Sequence, residues 1–269
     1  MAGTNEGGRR EGESGHVTVA PHQAGPAEAE LFQPLLHDLT VTVCAPSSAL
    51  SDHDGQIRPR GVQGVFVGDR RVLSQAILRI NGDEPSPIAY TPNGASGATF
   101  VSVARRLGDR IPDPTVRIER ARQLSATGMT EEIRVISAAS VPVRARVTID
   151  LASDIAPMDA VKSGRTSNPV PARGDGDALR WSAPGLEVRV TAEGASVDVE
   201  EARLAWTVDL PPRATASHRW TLQVTGTGIA VTAPAGPVEW SRPRLVADDR
   251  RLVRLLERSL DDLAALRLV

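Results

Sequence analysis

From residue 31 onward the apolar positions recur with period two. In "VRARVTIDL", Val143, Ala145, Val147, Ile149 and Leu151 point one way, and Arg144, Arg146, Thr148 and Asp150 the other. The same alternation runs through "LEVRV" (Leu186, Val188, Val190), "LAWTVDL" (Leu204, Trp206, Val208, Leu210) and "HRWTLQV" (Trp220, Leu222, Val224). Successive side chains of a strand face opposite sides of its sheet, so this pattern predicts strands with one buried and one wet face. Between them stand "PNGASG", "DRIPDP", "SNPVPARGDGD", "APG", "AEGAS" and "LPPRA", rich in the residues that turns select. Short strands at this spacing, with no strand–helix–strand rhythm, predict an all-β fold, a large antiparallel β-sandwich.

The period changes after Pro243. In "VADDRRLVRLLERSLDDLAALRLV", Leu252, Leu255, Leu256, Ser259, Leu260, Leu263 and Leu266 fall on one helical stripe. Arg250, Arg254, Glu257, Arg258, Asp261 and Asp262 lie mainly off it. Asp248 or Asp249 is suited to cap the helix start, where carboxylates also meet the positive end of the dipole. An amphipathic helix beside a β domain must bury its stripe somewhere. It either packs back on the sandwich or opens a helical domain of a longer protein, and the apolar run through the final "LRLV" favours the second.

Residues 64–82, "GVFVGDRRVLSQAILRING", set Val65, Val67, Val72, Ile77 and Ile80 around a charged knot, Asp69-Arg70-Arg71. An acid and two arginines inside a β segment point to a corner between consecutive strands. An Asp69-to-Arg71 bridge would satisfy backbone groups there in place of a tight turn. The alternative is that both side chains face a neighbouring domain. The corner is the favoured reading.

Composition narrows the function classes. The 269 residues carry a formal net charge of -2 with a pI near 6.2, which offers nothing electrostatic to nucleic acid or an anionic membrane. Lys162 is the only lysine, and this Arg-for-Lys bias with abundant Ala, Val and Gly points to a GC-rich bacterial genome. One cysteine, Cys44, forms no internal disulfide and fits a reducing cytoplasm; its setting, "TVTVCA", is that of a small buried hydrophobe. The first thirty residues are dominated by Gly, Glu, Ser and Arg, the composition of a disordered tail, and contain no signal-peptide core.

Catalytic patterns are weak. His16, His22, His37, His53 and His218 show no metal-ligand spacing, and no P-loop, nucleophile elbow or dinucleotide fingerprint occurs. No cofactor or metal is expected. His218 takes the inward phase of a strand, as a satisfied core histidine would. "GDGD" at residues 174–177 reads as an exposed turn rather than a calcium loop. The acid pairs Glu131-Glu132, Asp248-Asp249 and Asp261-Asp262 have strand, capping and solvation reasons to exist, and none resembles a buried acid poised against a second. Sugar-binding surfaces favour aromatic platforms, yet aromatics are 3% of the chain, with only Trp240 and Tyr90 in loop-like contexts.

Residues 35–85, "LLHDLTVTVCAPSSALSDHDGQIRPRGVQGVFVGDRRVLSQAILRINGDEP", resemble the N-terminal domain of bacterial glycogen debranching enzymes of the amylo-α-1,6-glucosidase type. Gly64, Phe66, Asp69, Arg71, Val72, Leu73, Ser74, Asn81 and Gly82 fill that family's pattern, and Arg70 stands where the family has Thr. "VTIDLASDIAPMDAVKSG", residues 147–164, is similar to the family's strand and following acidic corner, with Ile155, Met158 and Lys162 departing from it. "LERSLDDLAALR" resembles the first helix of the helical toroid that carries catalysis in the family.

The resemblance implies a β-supersandwich with a C-terminal amphipathic helix. It divides the chain into a tail (1–30), a β-sandwich domain (31–240) and a linker with the first helix of an (α/α) toroid (241–269). It further implies a non-catalytic domain that packs on and supports a helical catalytic domain, with the catalytic acids outside this chain. The alternative is a free-standing α-glucan-binding module. The expected partners are thus a helical catalytic domain and an α-glucan, with no nucleic acid and no membrane.

Overall fold

The computed structural model describes residues 36–165, 167–226, 231–234 and 241–268, with Met1 and Gly3. The expected tail and Trp240 therefore lie outside the described residues, those two positions aside. A 3₁₀ turn at Leu36–Asp38 leads into seventeen strands that form three antiparallel sheets. The five-stranded sheet runs β1 (Thr40–Cys44), β2 (Ser47–Ser51), β3 (Gly64–Val67), β4 (Arg70–Leu73), β11 (Ala156–Pro157). The four-stranded sheet runs β15 (Ser196–Asp198), β16 (Arg203–Leu210), β10 (Val143–Ala152), β5 (Gln75–Ile80). The eight-stranded sheet begins with β12 (Arg173–Asp175), β13 (Ala178–Ala183), β14 (Leu186–Ala192) and β17 (Thr215–Thr225). It continues through β9 (Gly128–Ser137), β8 (Val116–Ser125) and β7 (Gly97–Val103) to the edge strand β6 (Ser86–Asn93).

The all-β sandwich expected from the alternation is present. In β10 the side chains of Val143, Ala145, Val147, Ile149 and Leu151 are buried, and β16 opposes them in register from Val143↔Leu210 to Asp150↔Arg203. Their partners across the core include Trp181, Val188, Val190, Trp220 and Leu222 of the eight-stranded sheet. Val65, Val67 and Leu73 bring the five-stranded sheet into the same cluster. The eight-stranded sheet faces the two smaller sheets across this cluster, and β3 and β4 bury side chains on both of their faces.

The two layers are joined by a polar clasp at a place the hydrophobic pattern does not mark. Glu131 of β9 is fully buried and takes hydrogen bonds from Arg120 Nε and Nη2 (3.1 and 2.9 Å) and from Arg122 Nε and Nη2 (3.0 and 2.8 Å). Arg120 Nη1 also donates to Gln56 Oε1 at 2.8 Å, and Arg122 Nη2 to the Gly55 carbonyl at 2.6 Å. Gln56 in turn donates to the Leu78 carbonyl and accepts from the Leu78 amide, which ties the loop after β2 to β5. The inward phase of β8 and β9 is thus charged in its middle. Of the acid pairs, Glu131 is buried after all, though against two guanidiniums rather than a second acid.

Other expectations resolve locally. "GDGD" forms the two-residue turn Gly176-Asp177 between paired Asp175 and Ala178, with Gly176 at φ +60. Its first two residues belong to β12. Tyr90 stands in β6 rather than a loop, because β6 pairs with β7 through Tyr90↔Phe100. His218 is half-buried and stacks on Trp206 (centroids 5.4 Å), but its Nε2 has no hydrogen-bond partner, so it is a packed histidine and not a satisfied one. Burial pushes its pKa down and pushes the Cys44 thiol up, which keeps both neutral near pH 7.

Burial alone would raise the Glu131 pKa, but the adjacent Arg120 and Arg122 charges outweigh it and hold the carboxyl below the usual range. A carboxyl depressed in the folded state contributes stability above its unfolded pKa and loses it as pH falls through the folded value. Glu131→Gln, which leaves two buried guanidiniums without an anion, is therefore expected to cost about 3–5 kcal/mol in urea melts at pH 7. The difference from the unsubstituted chain narrows as pH falls below the ordinary glutamate value of 4.5.

Candidate domain interface

The charged knot at residues 69–71 is resolved by two devices. A tight turn exists: Val67 pairs with Arg70 across Gly68-Asp69, with Gly68 at φ +60. Glycine in first position with positive φ is what a two-residue hairpin requires, and the chain repeats it at Gly176-Asp177. The turn was legible in "VGDR" but masked by the arginines that follow it. The strand after the turn is also split. β4 ends at Leu73 and β5 begins at Gln75, and the Ser74 amide between them donates to the Ala152 carbonyl.

Arg71 does not pair with Asp69. Its side chain lies on the same face of the sheet as Phe66 and is buried to 8% exposure. Arg71 Nε donates to Asp154 Oδ1 at 3.2 Å, and Nη2 donates to Asp154 Oδ2. Nη1 donates to the carbonyls of Gly61 and Gln63 at 3.3 and 3.2 Å. The fork thus satisfies a loop as well as an acid, which is what a planar five-donor group does best. The acid on Arg71 is Asp154 and not the expected Asp69. Asp69 is exposed instead, with its carboxylate 3.8 Å from Arg70 Nε. Its carbonyl accepts from the Met158 amide at 2.7 Å.

Asp154 lies in the second matched segment, 83 positions from Arg71. The pairing of β4 with β11 (Arg71↔Ala156, Arg70↔Pro157) brings the two segments together. Asp154 was traceable as the lone acid in the run "LASDIAP", but nothing local named its partner. The residue after it, Ile155, is buried at φ +46. A β-branched side chain there costs on the order of 1–3 kcal/mol and persists only when its surroundings over-determine it. Here Asp154 is held by Arg71 and accepts from the Ala156 amide at 3.3 Å, while the isoleucine fills the main core.

The chain then turns into the short helix α1 (Met158–Lys162). Val161 of α1 closes a second small core with Phe66 and Ala156, and Leu50, Val62 and Met158 pack on its rim. Outside this core Asp69 and Arg70 stand exposed beside Asp159 and Arg165, which pair at 2.6 Å. Among the described residues no group of three His, Cys, Asp or Glu side chains could hold a metal. The arrangement supplies shape and exposed charge.

A second feature opens on solvent. Helix α2 (Arg250–Ala265) starts at Asp249, whose Oδ1 accepts from the Arg251 amide at 2.9 Å, as a capping carboxylate should. The helix touches the sandwich at its far end, where the Ala45 amide donates to the Ala265 carbonyl at 2.8 Å. Among the described residues the rest of the stripe is largely open. Leu252, Leu255, Leu263 and Leu266 are 50–63% exposed, while Leu256 and Leu260 are half-buried. No helix among the described residues is long and apolar enough to cross a membrane.

The family described as the N-terminal domain of some glycogen debranching enzymes matches residues 43–221, which include both halves of the corner. The chain belongs to that family. Among solved structures it is similar to a protein described as a kojibiose phosphorylase from the human microbiome, at TM-score 0.50 and 10% identity over 83% of this chain and 33% of that one. At such identity the likeness concerns the fold alone. This chain spans about a third of that protein's length. A heparan sulfate lyase from Pedobacter heparinus aligns with 71% of this chain and 35% of its own, at TM-score 0.42 and 8% identity. No curated protein matches by sequence.

Arg71→Leu is expected to destabilise the chain by about 3 kcal/mol or more, because Asp154 is left buried without its cation. Arg70→Thr and Asp69→Ala, both at exposed side chains, should stay within about 0.5 kcal/mol of the unsubstituted chain. Equal urea midpoints for all three variants would remove the Arg71–Asp154 pair from its structural role.

Proposed function

We propose that the chain is a non-catalytic N-terminal β-sandwich of a bacterial glycogen debranching-type glycoside hydrolase of the amylo-α-1,6-glucosidase type. It packs on and supports a helical catalytic domain in the cytoplasm. The family match over most of the sandwich carries this reading. The exposed leucines of α2 support it, because a stripe of this kind marks an interface. The corner at Asp69, Arg70 and α1 contributes an exposed charged surface on a rigid base, suited to the polar rim of a domain contact. The single cysteine, which can form no internal disulfide, accords with a reducing compartment.

Two measurements test the reading. Release of glucose from a branched limit dextrin by the purified chain would overturn the non-catalytic assignment. Truncation after Pro243 should leave the β signal in circular dichroism undiminished and yield a monomer. The chain with α2 should instead self-associate, or bind the helical domain added in trans, and Leu255→Asp with Leu263→Asp should abolish both. If truncation collapses the sheet signal, α2 belongs to the sandwich core and the interface reading fails.

A further inference from the structure

Among the described residues most of the large aromatic surface is hidden. Trp181, Trp206 and Trp220 are 1%, 3% and 0% exposed. Among the described residues Tyr90, the only tyrosine of the sequence, is the exception at 42% exposed. It stands on β6, the edge of the eight-stranded sheet, and its ring stacks on His53 with centroids 4.5 Å apart and planes 7° from parallel. His53 is steadied by Thr40, whose Oγ1 lies 3.1 Å from Nδ1. Ile88, on the same strand, is 60% exposed. The result is a partly exposed Tyr90 ring braced on one face by His53.

The residues flanking His53 carry planar polar groups. Asp52 and Asp54 pair with Arg58 at 2.6 and 2.8 Å, and Arg58 also reaches Glu84 at 2.6 Å. Arg60 reaches Asp52 at 2.8 Å, with its own side chain 64% exposed. The charges largely cancel within this network, so it offers hydrogen bonds without a strong demand for a charged ligand. Nor is the edge suited to an added protein strand, because Pro87 and Pro92 blunt β6 against ladder pairing.

We propose that Tyr90 and His53 form a surface subsite for a neutral polysaccharide, with the apolar face of a pyranose on the Tyr90 ring. An amphipathic ring offers contact area at low entropic cost, and few convergent polar groups then fix orientation. The choice of an α-glucan as ligand rests on the debranching reading above; the braced ring itself does not.

The test is native electrophoresis of the full 269-residue chain in gels containing glycogen, with titration of maltoheptaose as a second readout. The unsubstituted chain and Tyr90→Phe should be retarded. Tyr90→Ala and His53→Ala should bind at least about tenfold more weakly, equivalent to some 1.4 kcal/mol. Leu255→Asp with Leu263→Asp, on the helix, should leave retardation unchanged while abolishing self-association, which separates this site from the domain interface. No retardation of the unsubstituted chain overturns the proposal. So does a Tyr90→Ala chain that melts earlier yet is retarded equally, since the rings would then merely seal the sheet edge. Retardation by a β-glucan but not by glycogen, lost in Tyr90→Ala, sustains the subsite and overturns the debranching reading.

Discussion

The carboxylate of Glu131 receives the forks of Arg120 and Arg122 inside the eight-stranded sheet, with the Trp220 indole N–H 3.3 Å away. The same arginines reach across the layer to Gln56 and Gly55, and Gln56 closes both ends of its side-chain amide on the backbone of Leu78. Each of the three sheets is thereby tied, directly or through the loop after β2, to one buried charge. Such a cluster is costly to desolvate and tolerable only when its donors and acceptors are met, so it admits few alternative packings. Apolar contacts between flat sheet faces could slide by one strand residue pair; the clasp at Glu131 allows one register.

The corner at Arg71 works on the same principle with a different outcome. There the guanidinium ties two segments of chain and a loop, and the closure holds Ile155 in a left-handed conformation. The carbonyl of Asp69 then fixes the start of α1, and Val161 seals the small core behind it. On the outside, Asp69 lies near Arg70 and Asp159 pairs with Arg165, so exposed charges pair over a rigid base.

Two surfaces remain that the fold itself does not use. Among the described residues, Leu252, Leu255, Leu263 and Leu266 of α2 are mostly exposed, and the Tyr90 ring, stacked on His53, is 42% exposed. They differ in kind. The first is broad, aliphatic and helical, which suits another protein surface; the second is narrow, braced and rimmed by self-paired charges, which suits a small polar ligand.

The strands of β10, β14, β16 and β17, the turns between them, and the Asp249 cap of α2 were legible in the sequence, because period and capping are local properties. The resemblance covers both halves of the corner, but the expected partner of Arg71 was Asp69; Asp154 reaches it only through the pairing of β4 with β11. The burial of Glu131 was equally invisible, for an acid in a strand looks the same whether it faces water or two guanidiniums contributed by the neighbouring strand. The split of residues 70–80 between two sheets, and the placing of Tyr90 on an edge beside His53, also depend on which strands meet. Period follows from the chain's own geometry, whereas charge pairing across strands follows from a register that long-range packing alone decides.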